Sequence, residues 1–227
     1  MYTVRYSDIA NMIDHSLLKP NLTDQDIKTG CGIAAEWGAA SVCVRPSDVI
    51  LAEKLLRHEP VVVSTVIGFP HGAHTTEIKL AECRQAIDQG AKELDAVINI
   101  GKMKSGDQNY VEDELHKMTA FIHAQDVKIK VIFENCYLTK EEIIALCEMC
   151  NRCGADWVKT STGYGTSGAT EDDIILMRQH ALPAIQVKAA GGVRTLEKAI
   201  IMKTLGCTRI GATATVDILT PLLDTRS

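Results

Sequence analysis

No apolar run in this chain approaches the roughly eighteen residues that a bilayer-spanning helix needs, and no block of like charge stands out from a formal net charge of -5. The first absence argues against a membrane partner, and the second removes the electrostatic footing for nucleic acid or an anionic membrane surface. The opening residues, Met1-Tyr2-Thr3-Val4-Arg5-Tyr6-Ser7-Asp8, lack the charged-then-apolar layout of a secretory signal, so a cytoplasmic location is expected. Cysteine is too sparse for a disulfide scaffold, with 8 in 227 residues, and reduced thiols are the simpler reading. Cys147, Cys150 and Cys153 form a C-x-x-C-x-x-C series on a helical pattern with no second Cys/His pair at zinc spacing, which favours helix packing over a metal. No G-x-G-x-x-G follows the first strand-like run, which weighs against a doubly wound open sheet, and no low-complexity linker divides the chain.

What is there is a 46% apolar composition, enough for one large core, and a single domain over residues 1–227 is expected. Strand-like runs alternate with helix-length amphipathic stretches, the signature of βα units. After a short N-terminal helix around Tyr6–Ile13, the strand candidates are Met12–Leu18, Ala40–Val44, Val61–Gly68, Glu93–Ile100, Lys128–Glu134, Asp156–Thr162, Ala184–Ala190 and Cys207–Ala212. Each is followed by a helix-start signal such as Thr23-Asp24, Thr139-Lys140-Glu141-Glu142 or Thr195-Leu196-Glu197, and Gly38, Gly90, Gly154 and Gly206 fall where helices end. Eight consecutive units with right-handed crossovers predict an α/β fold of the (β/α)8 TIM-barrel type.

Alternation along the strands then divides helix-facing from interior residues. Ile129, Val131 and Phe133 form a helix-facing phase that leaves Lys130, Ile132 and Glu134 inward. The same division points Asp95, Val97 and Asn99 inward on the fourth strand and Gln186, Lys188 and Ala190 inward on the seventh, while Lys159 shares its phase with Trp157 and Ser161. Four successive strands thus aim Asp95, Lys130, Lys159 and Lys188 into one interior, in the middle or C-terminal half of each strand, where barrel active sites are built.

An ammonium in an apolar strand is expensive unless it is paired or neutral. A neutral lysine amine is a nucleophile that forms a Schiff base with a carbonyl, and a neighbouring ammonium together with burial depresses its pKa toward that state. Lys159 and Lys188 supply such a pair, with Asp95 as the carboxylate for proton transfer; spacing alone leaves open which lysine is the nucleophile. The ends of the last two strands, Lys188-Ala189-Ala190-Gly191-Gly192-Val193-Arg194 and Arg209-Ile210-Gly211-Ala212-Thr213, carry glycine-rich loops of the kind whose backbone N–H groups cradle phosphate, and Gly163 after the sixth strand adds another.

Asp95-Ala96-Val97-Ile98-Asn99-Ile100-Gly101 with Lys104-Ser105-Gly106-Asp107, Lys159-Thr160-Ser161-Thr162-Gly163 and Lys188-Ala189-Ala190-Gly191-Gly192-Val193-Arg194 together resemble the deoxyribose-phosphate aldolases, a class I aldolase family. The likeness runs from Ile13-Asp14-His15 to about Leu219, with the motifs in the family's order. The resemblance implies a TIM barrel that reversibly cleaves 2-deoxy-D-ribose 5-phosphate to acetaldehyde and D-glyceraldehyde 3-phosphate without metal or other cofactor. It implies Lys159 as the Schiff-base residue, Asp95 and Lys188 in proton transfer, Asp14, Cys43 and Lys130 lining the pocket, and Gly163, Gly191, Gly192, Val193, Arg194, Gly211 and Thr213 toward substrate and phosphate. Partners would be a small sugar phosphate and aldehydes, with no nucleic acid or membrane; homo-oligomerisation is left open.

The chain departs from the pattern at Thr213-Ala214, where the family usually has serines, and at His71 and Asn135, where less polar or smaller residues are expected. These departures keep in play a related Schiff-base aldolase or isomerase acting on another short sugar phosphate. A non-catalytic sugar-phosphate binder is disfavoured by the presence of Asp95, Lys159 and Lys188, and a metal-dependent aldolase by the want of clustered His and carboxylate ligands. Cys43 is expected to be inert packing, and His15, His71 and His74 to be single surface histidines. The C-terminal stretch Leu222–Ser227 is expected either to reach over the site or to fray.

Overall fold

The computed structural model describes residues 4–226. After helix α1 (Tyr6–Ala10) the chain runs β1 (Ile13–Leu17), α2 (Asp24–Glu36), β2 (Ser41–Val44), α3 (Val49–Leu56), β3 (Val62–Ile67), α4 (Thr76–Asp88), β4 (Glu93–Val97), α5 (Ile100–Lys104), α6 (Gln108–His123) and β5 (Lys128–Ile132). It continues through α7 (Lys140–Cys153), β6 (Trp157–Lys159), α8 (Glu171–His180), β7 (Gln186–Ala190), α9 (Leu196–Thr204), β8 (Cys207–Ala212) and α10 (Thr215–Leu219). The strands pair in chain order, all parallel, and β8 returns to β1 through Ile13 opposite Ile210, which closes the eight-stranded barrel the βα alternation predicts.

The local chemistry accounts for the element ends. Thr23 caps α2 and Thr139 caps α7, each hydroxyl accepting from the backbone N–H three residues on while Asp26 or Glu142 reaches back, so two orphan donors are satisfied at once. Gly154 leaves α7 in the left-handed conformation at φ 73°, where a side chain would be strained. The helix-facing phases of the strands, including Leu94, Ala96, Ile129, Val131, Phe133, Val187 and Ala189, are all fully buried against the helix layer. Each large side chain among them contributes about 1.5–3 kcal/mol by leaving water. Cys147 and Cys150 belong to the same layer, on the inner face of α7.

Several expected boundaries move. The first helix stops at Ala10 rather than Ile13, because Ile13 already pairs with β8. β4 ends at Val97 and not at Ile100, because Asn99 accepts from Lys102 N and starts the short α5, an element the alternation pattern did not anticipate. β6 is only three residues long, and Thr160–Thr162 already belong to the loop at its C-terminal end. The C-terminal residues do neither of the things expected of them. Thr225 Oγ1 accepts from Tyr6 N at 3.0 Å, and Arg226 donates to the Glu36 carbonyl and stacks on the Tyr6 ring at 5.0 Å. These partners are α1 and the C-terminus of α2, so residues 220–226 pack beneath the barrel, at the end opposite the strand C-termini; Ser227 lies outside the described residues.

One glycine in the β3–α4 loop is demanded by close approach. Gly72 sits at φ 66°, and a Cβ built on it would lie 1.8 Å from the Ile98 carbonyl oxygen. Gly72→Ala is therefore expected to destabilise the protein by about 1–3 kcal/mol, observed as a lower urea midpoint with an unchanged m-value.

Candidate active site

Register brings the interior charges level with one another. Asp95 stands opposite Lys130, Lys159 opposite Lys188, and Lys188 opposite Arg209 on successive strands. Asp95 is the hub: its Oδ1 accepts from Lys130 Nζ at 2.8 Å, and its Oδ2 from both Lys159 Nζ and Lys188 Nζ at 2.7 Å. Lys188 also donates to Asp14 Oδ2 at 2.5 Å, and Lys130 contacts Glu93 Oε2 at 2.6 Å and Asp14 Oδ2 at 3.6 Å. Beneath them the Arg209 fork spans Asp14 Oδ1 at 2.5 Å and Glu93 Oε1 at 2.8 Å, and rests on the Trp157 ring at 5.2 Å. The lysines and carboxylates of this network are buried.

Burial disfavours each of these charges, so the differences arise from compensation. For Lys130 the loss of hydration is outweighed by Asp95, Asp14 and Glu93, and its ammonium is held above the ordinary lysine range. For Lys188 burial is likewise outweighed, by Asp14 and Asp95. Lys159 differs: burial pulls it down, Asp95 restores only part, and the Lys188 ammonium pushes it further below its ordinary value. Asp95 resists burial because three lysines surround it, and its carboxyl stays well below the usual range. Of the three interior lysines, Lys159 alone is shifted toward the neutral, nucleophilic amine.

A cavity of about 520 Å³ opens above this network at the C-terminal ends of the strands. Asp14, Cys43, Lys159 and Lys188 form its floor, and Gly163, Gly191, Gly192, Val193, Arg194, Gly211 and Thr213 its wall, together with the β1–α2 loop from Leu18 to Asn21. Gly191 and Gly192 are both left-handed, at φ 81° and 86°, and turn the chain directly after β7. Gly191 also meets Gly168 backbone to backbone, since a Cβ on Gly168 would lie 2.4 Å from the Gly191 oxygen, so the β6–α8 and β7–α9 loops share one wall. Ala214 is not part of this wall but packs against the core. Of the Thr213-Ala214 pair, only Thr213 faces the site.

One pocket assignment needs correction. Lys130 does not line the cavity; it is fully buried in the layer below, tied to Glu93 and Asp95. Cys43 does reach the cavity, and burial pushes its thiol above the ordinary range, so it is a poor thiolate there. His15 is not a surface histidine: it is buried, bonded through Nδ1 to Thr215 Oγ1 at 2.7 Å, and burial lowers its pKa to about 4. Asn135 faces neither cavity nor solvent, and its amide donates to Met177 Sδ at 3.4 Å. His71 lines a second recess of about 310 Å³ beside the main one, with Glu134, Tyr137 and Tyr164.

Four residues outside the expected set of site residues complete the site. Glu93 and Arg209 lie in the layer below its floor with Lys130; Glu93 is in phase with Asp95, and Arg209 with Gly211, so the alternation extended by one step would have found both. Tyr164 borders both cavities, donates its hydroxyl to the Leu18 carbonyl at 2.8 Å and meets Phe69 edge-on at 5.5 Å, a strap across the barrel mouth. Glu134, left-handed at φ 58°, anchors that strap: its carboxylate accepts from Thr162 N at 3.1 Å and from the Thr162 hydroxyl, which in turn accepts from Tyr164 N. Nothing in the local sequence signals these two roles, because both depend on contacts between loops far apart in the chain.

Comparison with known proteins agrees with this geometry. Residues 9–219 match the family model described as DeoC/LacD family aldolase. A deoxyribose-phosphate aldolase of Rhodopirellula baltica is 51% identical over 219 residues, covering 96% of this chain and 91% of its own. One of Thermococcus gammatolerans is 49% identical over 214 residues, covering 93% and 95%. Among solved structures, the aldolase QR15 superposes with a TM-score of 0.90 at 38% identity, covering 96% of each chain. A tetrameric deoxyribose phosphate aldolase of Aeropyrum pernix superposes with a TM-score of 0.88 at 30% identity, covering 95% of this chain and 91% of that one. A barrel whose interior sets a depressed lysine against a carboxylate, with this extent of likeness, belongs to the DeoC/LacD family of aldolases.

Proposed function

We propose that this protein is a class I aldolase that reversibly cleaves 2-deoxy-D-ribose 5-phosphate into acetaldehyde and D-glyceraldehyde 3-phosphate. The observation that carries the reading is Lys159 on the floor of the cavity, shifted toward the neutral amine and 2.7 Å from the Asp95 carboxylate. The names of the relatives support the substrate.

In the cleavage direction the Lys159 amine adds to the C1 aldehyde of the open-chain sugar, and loss of water gives the iminium. The C3 hydroxyl gives up its proton as the C2–C3 bond breaks, its electron pair flowing into the iminium to leave an enamine. D-glyceraldehyde 3-phosphate departs, the enamine takes a proton at C2, and hydrolysis returns acetaldehyde and the free amine. Asp95, shared between Lys159 and Lys188, accepts and returns the protons, and the Lys188 ammonium keeps the nucleophile depressed. The phosphate lies against the left-handed Gly191-Gly192 turn and Gly211, with Thr213, Gly163 and Arg194 beside it, and backbone N–H groups meet it without a side chain in the way. Thr213 supplies the hydroxyl of the β8–α10 loop.

Cleavage rates for 2-deoxyribose 5-phosphate, ribose 5-phosphate and unphosphorylated 2-deoxyribose test the reading. The expected result is a kcat/KM for 2-deoxyribose 5-phosphate at least about tenfold above either alternative, the equivalent of one lost charge-assisted contact or more. Equal rates for the three sugars would reject the substrate assignment.

A further inference from the structure

We propose that Arg209, on the barrel floor and away from the cavity wall, is a positioning residue for the reaction: its guanidinium gives the interior one more cation than it has carboxylates, and that surplus falls on Lys159. The proposal rests on the reading of Lys159 as the Schiff-base amine.

The count comes from the ion pairs themselves. Four basic groups, Lys130, Lys159, Lys188 and Arg209, face three carboxylates, Asp14, Glu93 and Asp95. The contacts are unevenly shared. Lys130 touches all three carboxylates, Lys188 touches Asp14 and Asp95, and Arg209 grips Asp14 and Glu93. Lys159 has only Asp95, through an oxygen it shares with Lys188. In a dry interior a surplus charge is relieved at the group with the least compensation, and Arg209 does not release its proton. Lys159 is therefore the site that gives one up.

Among the described residues no further group is ion-paired to these seven side chains. Around Lys159, β1 presents Asp14, β2 presents Cys43 as a thiol raised by burial, and β4 presents Asp95 and Glu93. β5 presents Lys130 with Glu134 at its end, β7 presents Lys188, and β8 presents Arg209. Glu134 stands outside these ion pairs, and its carboxylate accepts from the Thr162 amide and hydroxyl instead. Around Arg209 lie Asp14, Glu93 and the Trp157 ring, over which Lys130 and the exposed Lys128 also sit. His15 points instead to Thr215, and Lys79 pairs with Glu114 away from this network.

The measurement is the pH dependence of borohydride trapping with acetaldehyde, with the adduct located by peptide mass mapping, in the wild type, Arg209→Lys, Arg209→Met, Glu93→Gln and the double variant Arg209→Met/Glu93→Gln. Removing the guanidinium charge is expected to move the midpoint of adduct formation at Lys159 up by about one pH unit, the order of one unit charge felt across a partly dry interior. Arg209→Lys keeps the charge and is expected to keep the midpoint. Glu93→Gln enlarges the surplus and moves the midpoint down, and the double variant, with three cations against two carboxylates, returns it toward wild type. If Arg209→Met does not fold, Glu93→Gln decides alone, since an unshifted midpoint there overturns the proposal. A wild-type adduct at Lys159 with the same midpoint in every variant also overturns it while leaving the function standing. An adduct absent from Lys159 in the wild type overturns both.

Discussion

Lys159→Met is expected to lower kcat/KM by at least about 10⁴-fold, because no other group can substitute for the nucleophile and its loss removes the covalent route altogether. Methionine fills nearly the same volume, so the variant tests chemistry rather than packing. The electrostatics point the same way. With Lys159 gone, three cations face three carboxylates in this network, and each of the six keeps an ion-pair partner. Stability is accordingly expected to hold or rise slightly, since removing an ammonium already disfavoured by burial relieves a penalty. Borohydride reduction with acetaldehyde, followed by mass mapping, should show a two-carbon adduct on Lys159 in the wild type and none at position 159 in the variant. Residual activity above about 1% together with an adduct on Lys188 would exchange the roles of the two lysines. That outcome would require Lys188 to shed its proton despite contacts to two carboxylates.

The barrel was legible in the sequence because its signals are local. Threonine caps, glycines at helix ends and apolar runs of strand length are each decided within a few residues, and the closure of β8 on β1 follows from eight repeats of one handed unit. The floor of the site was legible for a related reason. A period of two places Asp95, Lys130, Lys159 and Lys188 on the interior phase whatever the loops do. What the sequence did not disclose was the uneven pairing among them. That Lys130 is locked by three carboxylates while Lys159 has one depends on how the strands stagger around the barrel, and hence on register. The Tyr164 strap and the packing of residues 220–226 beneath the barrel were illegible on the same ground. Each joins segments more than a hundred residues apart through side-chain contacts that carry no periodic trace. His15 shows the converse error: a histidine near a strand end reads as exposed, but its phase turns it toward α10, where it bonds Thr215 and burial holds it neutral.

Asp95→Asn is expected to separate imine formation from turnover. In the wild type the Asp95 carboxylate takes three ammonium donors on two oxygens. An asparagine keeps one acceptor oxygen and turns an NH₂ group toward lysines that can only donate. Loss of the proton-transfer group predicts a fall in kcat of about 10²–10⁴-fold. The nucleophile moves the other way: without the carboxylate that partly restores its proton, the Lys159 amine becomes easier to deprotonate, so borohydride trapping at Lys159 should persist while turnover is lost. Stability falls too, because four cations then face two carboxylates. Removing one partner of a buried ion pair costs about 3–5 kcal/mol, or on the order of 10 °C in Tm for a domain of this size, less whatever is recovered when a lysine releases its proton. The sign of the pH dependence follows from the direction of the Asp95 shift. Its folded-state carboxyl is held below the ordinary range, so the stability it contributes is present above the unfolded carboxylate pKa, near 3.9, and is lost as pH falls through the lower folded value. The difference in Tm between wild type and Asp95→Asn should therefore be full at pH 6 and shrink as the pH is lowered well below 4. Raising the pH toward 9 should narrow it as well, because the lysines left unpaired can then shed their charge. A Tm difference that widens in acid would mean that the Asp95 carboxyl is protonated in the folded protein. Loss of trapping together with turnover would assign Asp95 to imine formation itself.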